Sequence, residues 1–289
     1  IFSRDELKQY EMSQEKKYTH PNVRMILGDI RDYRSIKRAM QNVDIVIHAA
    51  ALKQVPTAEY NPFQFIQTNI LGSQNIIEAA LDSNVKKIIA LSTDKASSPI
   101  NLYGATKLCA EKLFVSANNI KGKLPIDFCI VRYGNVMGSR GSVIPFFLKK
   151  FHEGEKLPLT HERMTRFNIS LEESIQLVYK SINHSNGGEI FIPKIPSFKV
   201  TDLIKSITDQ EKFKLIGIRP GEKIHEELVS VYEGYNTVEF KENYIILPSN
   251  DPEKINFYCK KNKTKKVKNG FSYTSENNKK ILSIKELKQ

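Results

Sequence analysis

Residues 91–107 read Leu91-Ser-Thr-Asp-Lys-Ala-Ser-Ser-Pro-Ile-Asn-Leu-Tyr-Gly-Ala-Thr-Lys107. They follow an apolar, branched run at 85–91 that reads as a strand, and from Tyr103 onward they read as a helix. A strand that ends in hydroxyl and charged residues and hands over to a helix marks the carboxyl edge of a parallel sheet, where α/β folds place their ligands. Working outward, strands are predicted at 23–28, 43–51, 85–91 and 127–133, alternating with helices at 5–17, 33–41, 63–82 and 103–118. This alternation predicts an α/β fold with a doubly wound parallel sheet and helices on both faces.

Beyond residue 140 the pattern loosens. Shorter helices are predicted at 142–153, 171–183, 201–208 and 222–230, with isolated strands at 189–192 and 244–247. The expected division is a Rossmann-like dinucleotide-binding domain over 1–140 and a smaller C-terminal substrate-binding lid and tail over 141–289. A segment around 168–195 is expected to return to the first domain. Ile1-Phe2 reads as the end of a strand and Ser3-Arg4-Asp5 as a helix cap, yet no Gly-x-Gly-x-x-Gly occurs anywhere. The expectation is therefore a sheet whose first βα unit is missing, and a piece that is inactive as given because that turn cradles pyrophosphate.

The chain has 289 residues, 40% of them hydrophobic, and a net charge of +12. Six lysines crowd into 260–268 without interleaved aromatics, which reads as a solvated stretch and argues against a nucleic-acid partner. Cys109, Cys129 and Cys259 form no Cys-x-x-Cys pair, so neither a metal site nor a disulfide framework is expected, and a reducing cytoplasm fits. Apolar runs are too short and interrupted for a membrane span.

Tyr103 and Lys107 stand at i and i+4, on one helical face. A tyrosine ionises near pH ~10, and a neighbouring ammonium lowers that value, so the pair can take a proton from an alcohol while hydride leaves the same carbon. Thr93, at the strand end, can bond the reacting oxygen. Asp94 and Lys95 add an acid/base couple that oxidation does not need. Next to a newly formed C4 ketone the C5 proton is acidic, and such a couple can expel the C6 hydroxyl as water.

Ser92-Thr93-Asp94-Lys95-Ala96 with Asn101-Leu-Tyr-Gly-Ala-Thr-Lys107 resembles the extended short-chain dehydrogenase/reductase family, in its branch of inverting UDP-N-acetylglucosamine 4,6-dehydratases. The resemblance continues through His48-Ala-Ala-Ala-Leu-Lys-Gln-Val-Pro56, Thr68-Asn-Ile-Leu-Gly72, Arg132-Tyr-Gly-Asn-Val136, Gly138-Ser-Arg-Gly-Ser-Val-Ile-Pro145, Met164-Thr-Arg-Phe167 and Gly217-Ile-Arg-Pro-Gly-Glu-Lys-Ile-His-Glu226. Retaining membrane-bound relatives carry methionine where Tyr103 stands, and hexose dehydratases carry Asp-Glu where Asp94-Lys95 stands.

The resemblance implies that Thr93, Tyr103 and Lys107 oxidise C4, that Asp94 protonates the departing C6 hydroxyl and that Lys95 removes the C5 proton. It implies a cofactor site at Ser3, Arg4, Asp29, Ile30, Ala49, Ala50, Ala51, Lys53 and Asn69 besides Tyr103 and Lys107. Arg4 matches a position that meets a 2′-phosphate, which favours NADP over NAD. Asn135 and Arg219 are implied to hold the UDP pyrophosphate, with Ser142, Val143, Arg166 and Glu222 also on the substrate; His225 is expected to pack or cap. A homo-oligomer acting on UDP-N-acetylglucosamine is implied. Two other readings are a UDP-sugar 4-epimerase, which has no use for Asp94-Lys95, and a basic protein that binds nucleic acid or another anionic surface.

Overall fold

A computed structural model describes residues 1–139, 141–208 and 213–288; Arg140 of the 138–145 motif lies outside them. Four parallel strands, Ile45–His48, Lys87–Thr93, Asp127–Tyr133 and Ile190–Pro193, lie side by side at the centre. Ile88, Ile89 and Ala90 in one strand and residues 128–131 in the next are all buried, because a parallel sheet is covered on both faces. Helices Gly72–Leu81 and Leu102–Ile120 cover one face through Ile76, Ile77, Phe114 and Ala117. Leu171–His184 covers the other through Leu177 and Val178, which pack on Ile89, Cys129 and Val131. The doubly wound sheet is thus present.

The sheet does not stop there. Asn243–Ile246, Thr237–Glu239 and Lys265–Lys266 add three antiparallel strands beyond Ile190–Pro193. Strand Ile190–Pro193 belongs to this sheet and 237–266 joins it as well, so the sheet extends far beyond residue 140. Val238, Ile245 and Ile246 are buried by this pairing, an apolar gain that their short, isolated pattern does not announce.

Residues 222–230 form no helix: Glu227–Val229 is a strand, paired antiparallel with Tyr273–Thr274. Leu228 and Val229 are both fully buried there, and a pairing with so distant a segment overrides the helix-forming residues around them. The predicted strand 23–28 contracts to Ile26–Leu27, which pairs in parallel with Phe2–Ser3. Phe2 of this ribbon and Ile45 and Ile47 of the sheet's edge strand line an apolar slot of about 300 Å³.

The smaller lobe packs helices Val143–His152 and Val200–Ile207 on Leu157–Leu159 around Phe147, Phe198 and Leu203. No helix among the described residues is long and apolar enough to cross a membrane.

His48 closes the edge strand inside the core, its Nε2 3.3 Å from Ser73 Oγ and its ring 5.6 Å from that of Phe114. Burial, helped by the Lys107 charge, pushes its pKa from 6.5 down to about 3. The unfolded chain therefore binds a proton that the folded chain refuses, and stability falls as pH drops from 6.5 toward 3. His48→Asn should flatten this part of the acid-unfolding curve, as measured by denaturant titration at stepped pH; an unchanged slope would contradict a neutral buried imidazole.

Candidate active site

Asn101 caps the helix Leu102–Ile120 by accepting from the Gly104 amide at 2.8 Å. The buried stripe of that helix runs Tyr103, Lys107, Ala110, Phe114 and Ala117, at the spacing of one helical face. Two polar residues on this stripe are thereby carried against the sheet instead of into water. A Cβ at Gly104 would fall 2.2 Å from the Lys95 carbonyl oxygen, so glycine alone lets the helix approach the turn Asp94–Ala96 this closely.

That turn closes the strand Lys87–Thr93. Thr93 Oγ1 donates to Asp94 Oδ1 at 2.9 Å, and Lys95 Nζ donates to the same oxygen at 3.0 Å. Asp94 Oδ2 is buried without a hydrogen-bond partner. Burial raises the Asp94 pKa above the ordinary carboxylate value, opposed by the Lys95 charge. Burial works against the Lys95 ammonium, but Asp94 and Glu226 outweigh it and hold Lys95 above the ordinary lysine value. Burial pushes Tyr103 up to about 12, against the Lys95 charge and a hydrogen bond with Thr93. Lys107 is itself lowered to about 8 by burial and donates to the Leu91 carbonyl at 2.8 Å. Lys95 is thus a cation that eases Tyr103 ionisation, while Lys107, expected in that role from helical spacing, donates to the strand at Leu91.

Two cavities meet here. One, of about 400 Å³, is lined by Ala49, Ala51, Lys53, Ser92, Thr93, Asp94, Lys95, Tyr103, Lys107, Asn135 and Ser142. The other, of about 570 Å³, is lined by Tyr60, Lys95, Asn101, Asn135, Arg166, Arg219, Glu222 and Glu226. Lys95 and Asn135 belong to both, and Asn135 Oδ1 and Ser142 Oγ are buried without partners. Asn101 Nδ2 donates to the Gly221 carbonyl at 2.8 Å, tying the 217–223 loop to the helix cap.

Arg166 is buried, its guanidinium donating to the carbonyls of Thr165, Lys223 and Ile224. Arg219 is largely exposed and stands 3.8 Å from Glu222. Asn69 exchanges hydrogen bonds with the Leu52 backbone at 2.8 and 2.9 Å and donates to Thr106 Oγ1 at 3.0 Å, which fastens the 49–53 loop to the helix Leu102–Ile120.

Other expected residues lie outside these cavities. The Ile30 side chain is core, packed beside Gly72, so only its backbone could meet a ligand. Ala50 lines the apolar slot at the sheet edge. Val143 packs in the small-lobe core, on the buried face of its helix. Asp29 is bound bidentately by Arg31 at 3.1 and 2.7 Å, and Arg4 stands 3.6 Å from it. Ser3 accepts at Oγ from the Asp5 amide. His225 bonds Thr165 Oγ1 at 2.8 Å, a packing role.

The residue that sequence reading passed over is Glu226, at 3.3 Å from Lys95 Nζ. Its one signal was a carboxylate ending the motif that begins at Gly217, just before the apolar pair Leu228-Val229.

A family model described as polysaccharide biosynthesis protein matches residues 1–248. Over 297 residues the chain is 52% identical to the UDP-N-acetylglucosamine 4,6-dehydratase (inverting) of Campylobacter jejuni subsp. jejuni serotype O:2, covering 99% of this chain and 87% of that protein. It is 40% identical over 294 residues to a UDP-glucose 4-epimerase of Rickettsia massiliae, covering 100% of this chain and 85% of that protein. The X-ray structure of Pen from Bacillus thuringiensis superposes with a TM-score of 0.88 at 39% identity, over 100% of this chain and 87% of that one. A family match running through residue 248, with identity of this order along nearly the whole sequence, means that the chain belongs to the polysaccharide biosynthesis protein family.

Proposed function

We propose that the protein dehydrates UDP-N-acetylglucosamine across C5 and C6 after oxidation at C4, giving a UDP-4-keto-6-deoxy sugar inverted at C5. The observation that carries this reading is the presence of Asp94, Lys95 and Tyr103 in one cavity, with Asp94 fully buried and its pKa raised. Tyr103, in the same cavity as Thr93, takes the C4 hydroxyl proton. Lys95 removes the proton from C5, and Asp94 gives its proton to the C6 oxygen. Arg219, at the mouth of the larger cavity, and Asn135, between the two, hold the pyrophosphate.

The cofactor supported by this site is a nicotinamide dinucleotide. Ser92 Oγ is buried without a partner and Lys107 offers further N–H donors beside it, polar groups that suit a ribose in the smaller cavity. Such a group, when bound, supplies the hydride acceptor at C4 and the donor at C6. NADP is favoured over NAD by Arg4, which is ion-paired with Asp29 at 3.6 Å but 52% exposed, so that its guanidinium can also meet a 2′-phosphate.

Turnover in deuterated water tests the reading: deuterium should enter at C5 of a 4-keto-6-deoxy product, as read by proton NMR and mass spectrometry. A C4 epimer with no label would instead establish the epimerase reading, which the Rickettsia relative's name supports.

A further inference from the structure

A lysine that is to act as a base must first lose a proton, and in this cleft Lys95 Nζ lies between two carboxylates. Asp94 Oδ1 is at 3.0 Å and Glu226 Oε1 at 3.3 Å. Asp94 cannot serve as the acceptor. Its Oδ1 already accepts from Thr93 and Lys95, and in the dehydration reading it gives a proton to the departing hydroxyl instead of taking one. Glu226 remains.

Glu226 is buried, and its Oε2 has no hydrogen-bond partner. Its backbone is pinned on both sides, the amide donating to Ser275 Oγ at 2.9 Å and the carbonyl accepting from the Ser275 amide at 2.8 Å. Arg166 Nε stands 3.7 Å away; burial alone would raise the Glu226 pKa, but the charges of Lys95, Arg166 and Lys223 outweigh it and hold the carboxyl below its ordinary value until substrate binds. A carboxylate so placed starts as an anion and has an oxygen free to take a proton.

Resting on the dehydration reading above, we propose that Glu226 is the proton acceptor that turns Lys95 from ammonium into amine. The proton moves from Lys95 Nζ to the Glu226 carboxylate as bound substrate excludes water. The amine then takes the C5 proton. The C5–C6 double bond forms as the C6–O bond breaks, and the oxygen leaves as water with the proton from Asp94. Glu226 ends as the acid, Lys95 as ammonium and Asp94 as carboxylate. Glu226 acts through Lys95 and is a positioning residue, not one that touches the reacting carbons.

Glu226→Gln keeps the shape and removes the proton acceptor. In the holoenzyme with UDP-N-acetylglucosamine in deuterated water, elimination and C5 labelling should fall about 100-fold or more. The substrate dissociation constant should stay within about threefold. The 4-keto sugar that still bears its C6 hydroxyl should accumulate and be trapped by borodeuteride for mass spectrometry. Glu226→Asp should recover about a tenth or more of the lost rate. C5 labelling within about threefold of wild type in Glu226→Gln overturns the proposal. So does a parallel loss of substrate binding, C4 oxidation and elimination, which is what a merely structural clamp on Lys95 and Arg166 would give. If Glu226→Gln does not fold, Glu226→Asp decides alone by the same split between C4 oxidation and elimination. A wild-type protein that makes no 4-keto-6-deoxy product overturns the functional reading itself, a separate result.

Discussion

Replacing Tyr103 by phenylalanine is expected to slow formation of the 4-keto sugar about 1,000-fold. The ring packs with Ala58 and Phe65, and phenylalanine keeps those contacts, so only the hydroxyl beside Thr93 is lost. Substrate affinity should change by less than about threefold, which separates a chemical loss from a binding loss. Rapid quench with borodeuteride, read by mass spectrometry, measures the C4 step directly. A residual rate above about a tenth of wild type would remove Tyr103 from the chemistry. The pH dependence adds a second check. Because burial raises the phenol to about 12, the proton-accepting form is scarce near neutrality, and the wild-type C4 step should accelerate as pH rises. In Tyr103→Phe that slope should vanish.

The second large effect concerns stability. Arg132 is fully buried and bonds two carboxylates at once: Glu111 at 2.9 and 2.5 Å, and Glu233 at 3.0 and 2.8 Å. It also donates to the Leu228 carbonyl at 2.9 Å. Burial alone would raise the Glu233 pKa, but the guanidinium outweighs it and brings Glu233 down to about 2. Arg132→Ala leaves the buried Glu111 and the partly buried Glu233 without a counter-charge, which costs about 3–5 kcal/mol out of a typical total of about 5–15. Thermal unfolding should shift down by about 10 °C. Replacing Arg132, Glu111 and Glu233 together by neutral residues of similar volume should recover most of that loss, since no charge is then left uncompensated. A single variant that melts like wild type would show that water reaches the carboxylates. The clamp also matters for the cleft: Leu228 lies in the strand that begins one residue after Glu226 and Glu233 follows it, so Arg132 holds that strand against its own, Asp127–Tyr133.

Much of the fold was legible because it is written in local pattern. Alternating branched runs and amphipathic helices announced three of the four central parallel strands, while the predicted strand 23–28 lies outside that sheet in a ribbon with Phe2–Ser3, and the apolar spacing from Tyr103 onward announced the helix Leu102–Ile120. The i,i+4 geometry put Tyr103 and Lys107 on one face, and that face is the buried one. Adjacent residues at a strand end necessarily share a turn, so Thr93, Asp94 and Lys95 were bound to stand together.

What local pattern could not show is where distant segments meet. Glu227–Val229 carries helix-forming neighbours, yet pairing with Tyr273–Thr274 makes it a strand, and only that strand delivers Glu226 to Lys95. Likewise, residues 237–266 complete the sheet against Ile190–Pro193. Lys107 illustrates the same limit at short range: its spacing named Tyr103 as partner, but the nearby Leu91 carbonyl claims its ammonium. The sequence by itself determined which residues form helices and strands and which chemical groups crowd the edge at 92–107, because those follow from neighbours along the chain. Only the tertiary structure decided the charge state each group is given, because burial and the counter-charges of Glu226, Arg166 and Arg132 come from segments brought together across the fold.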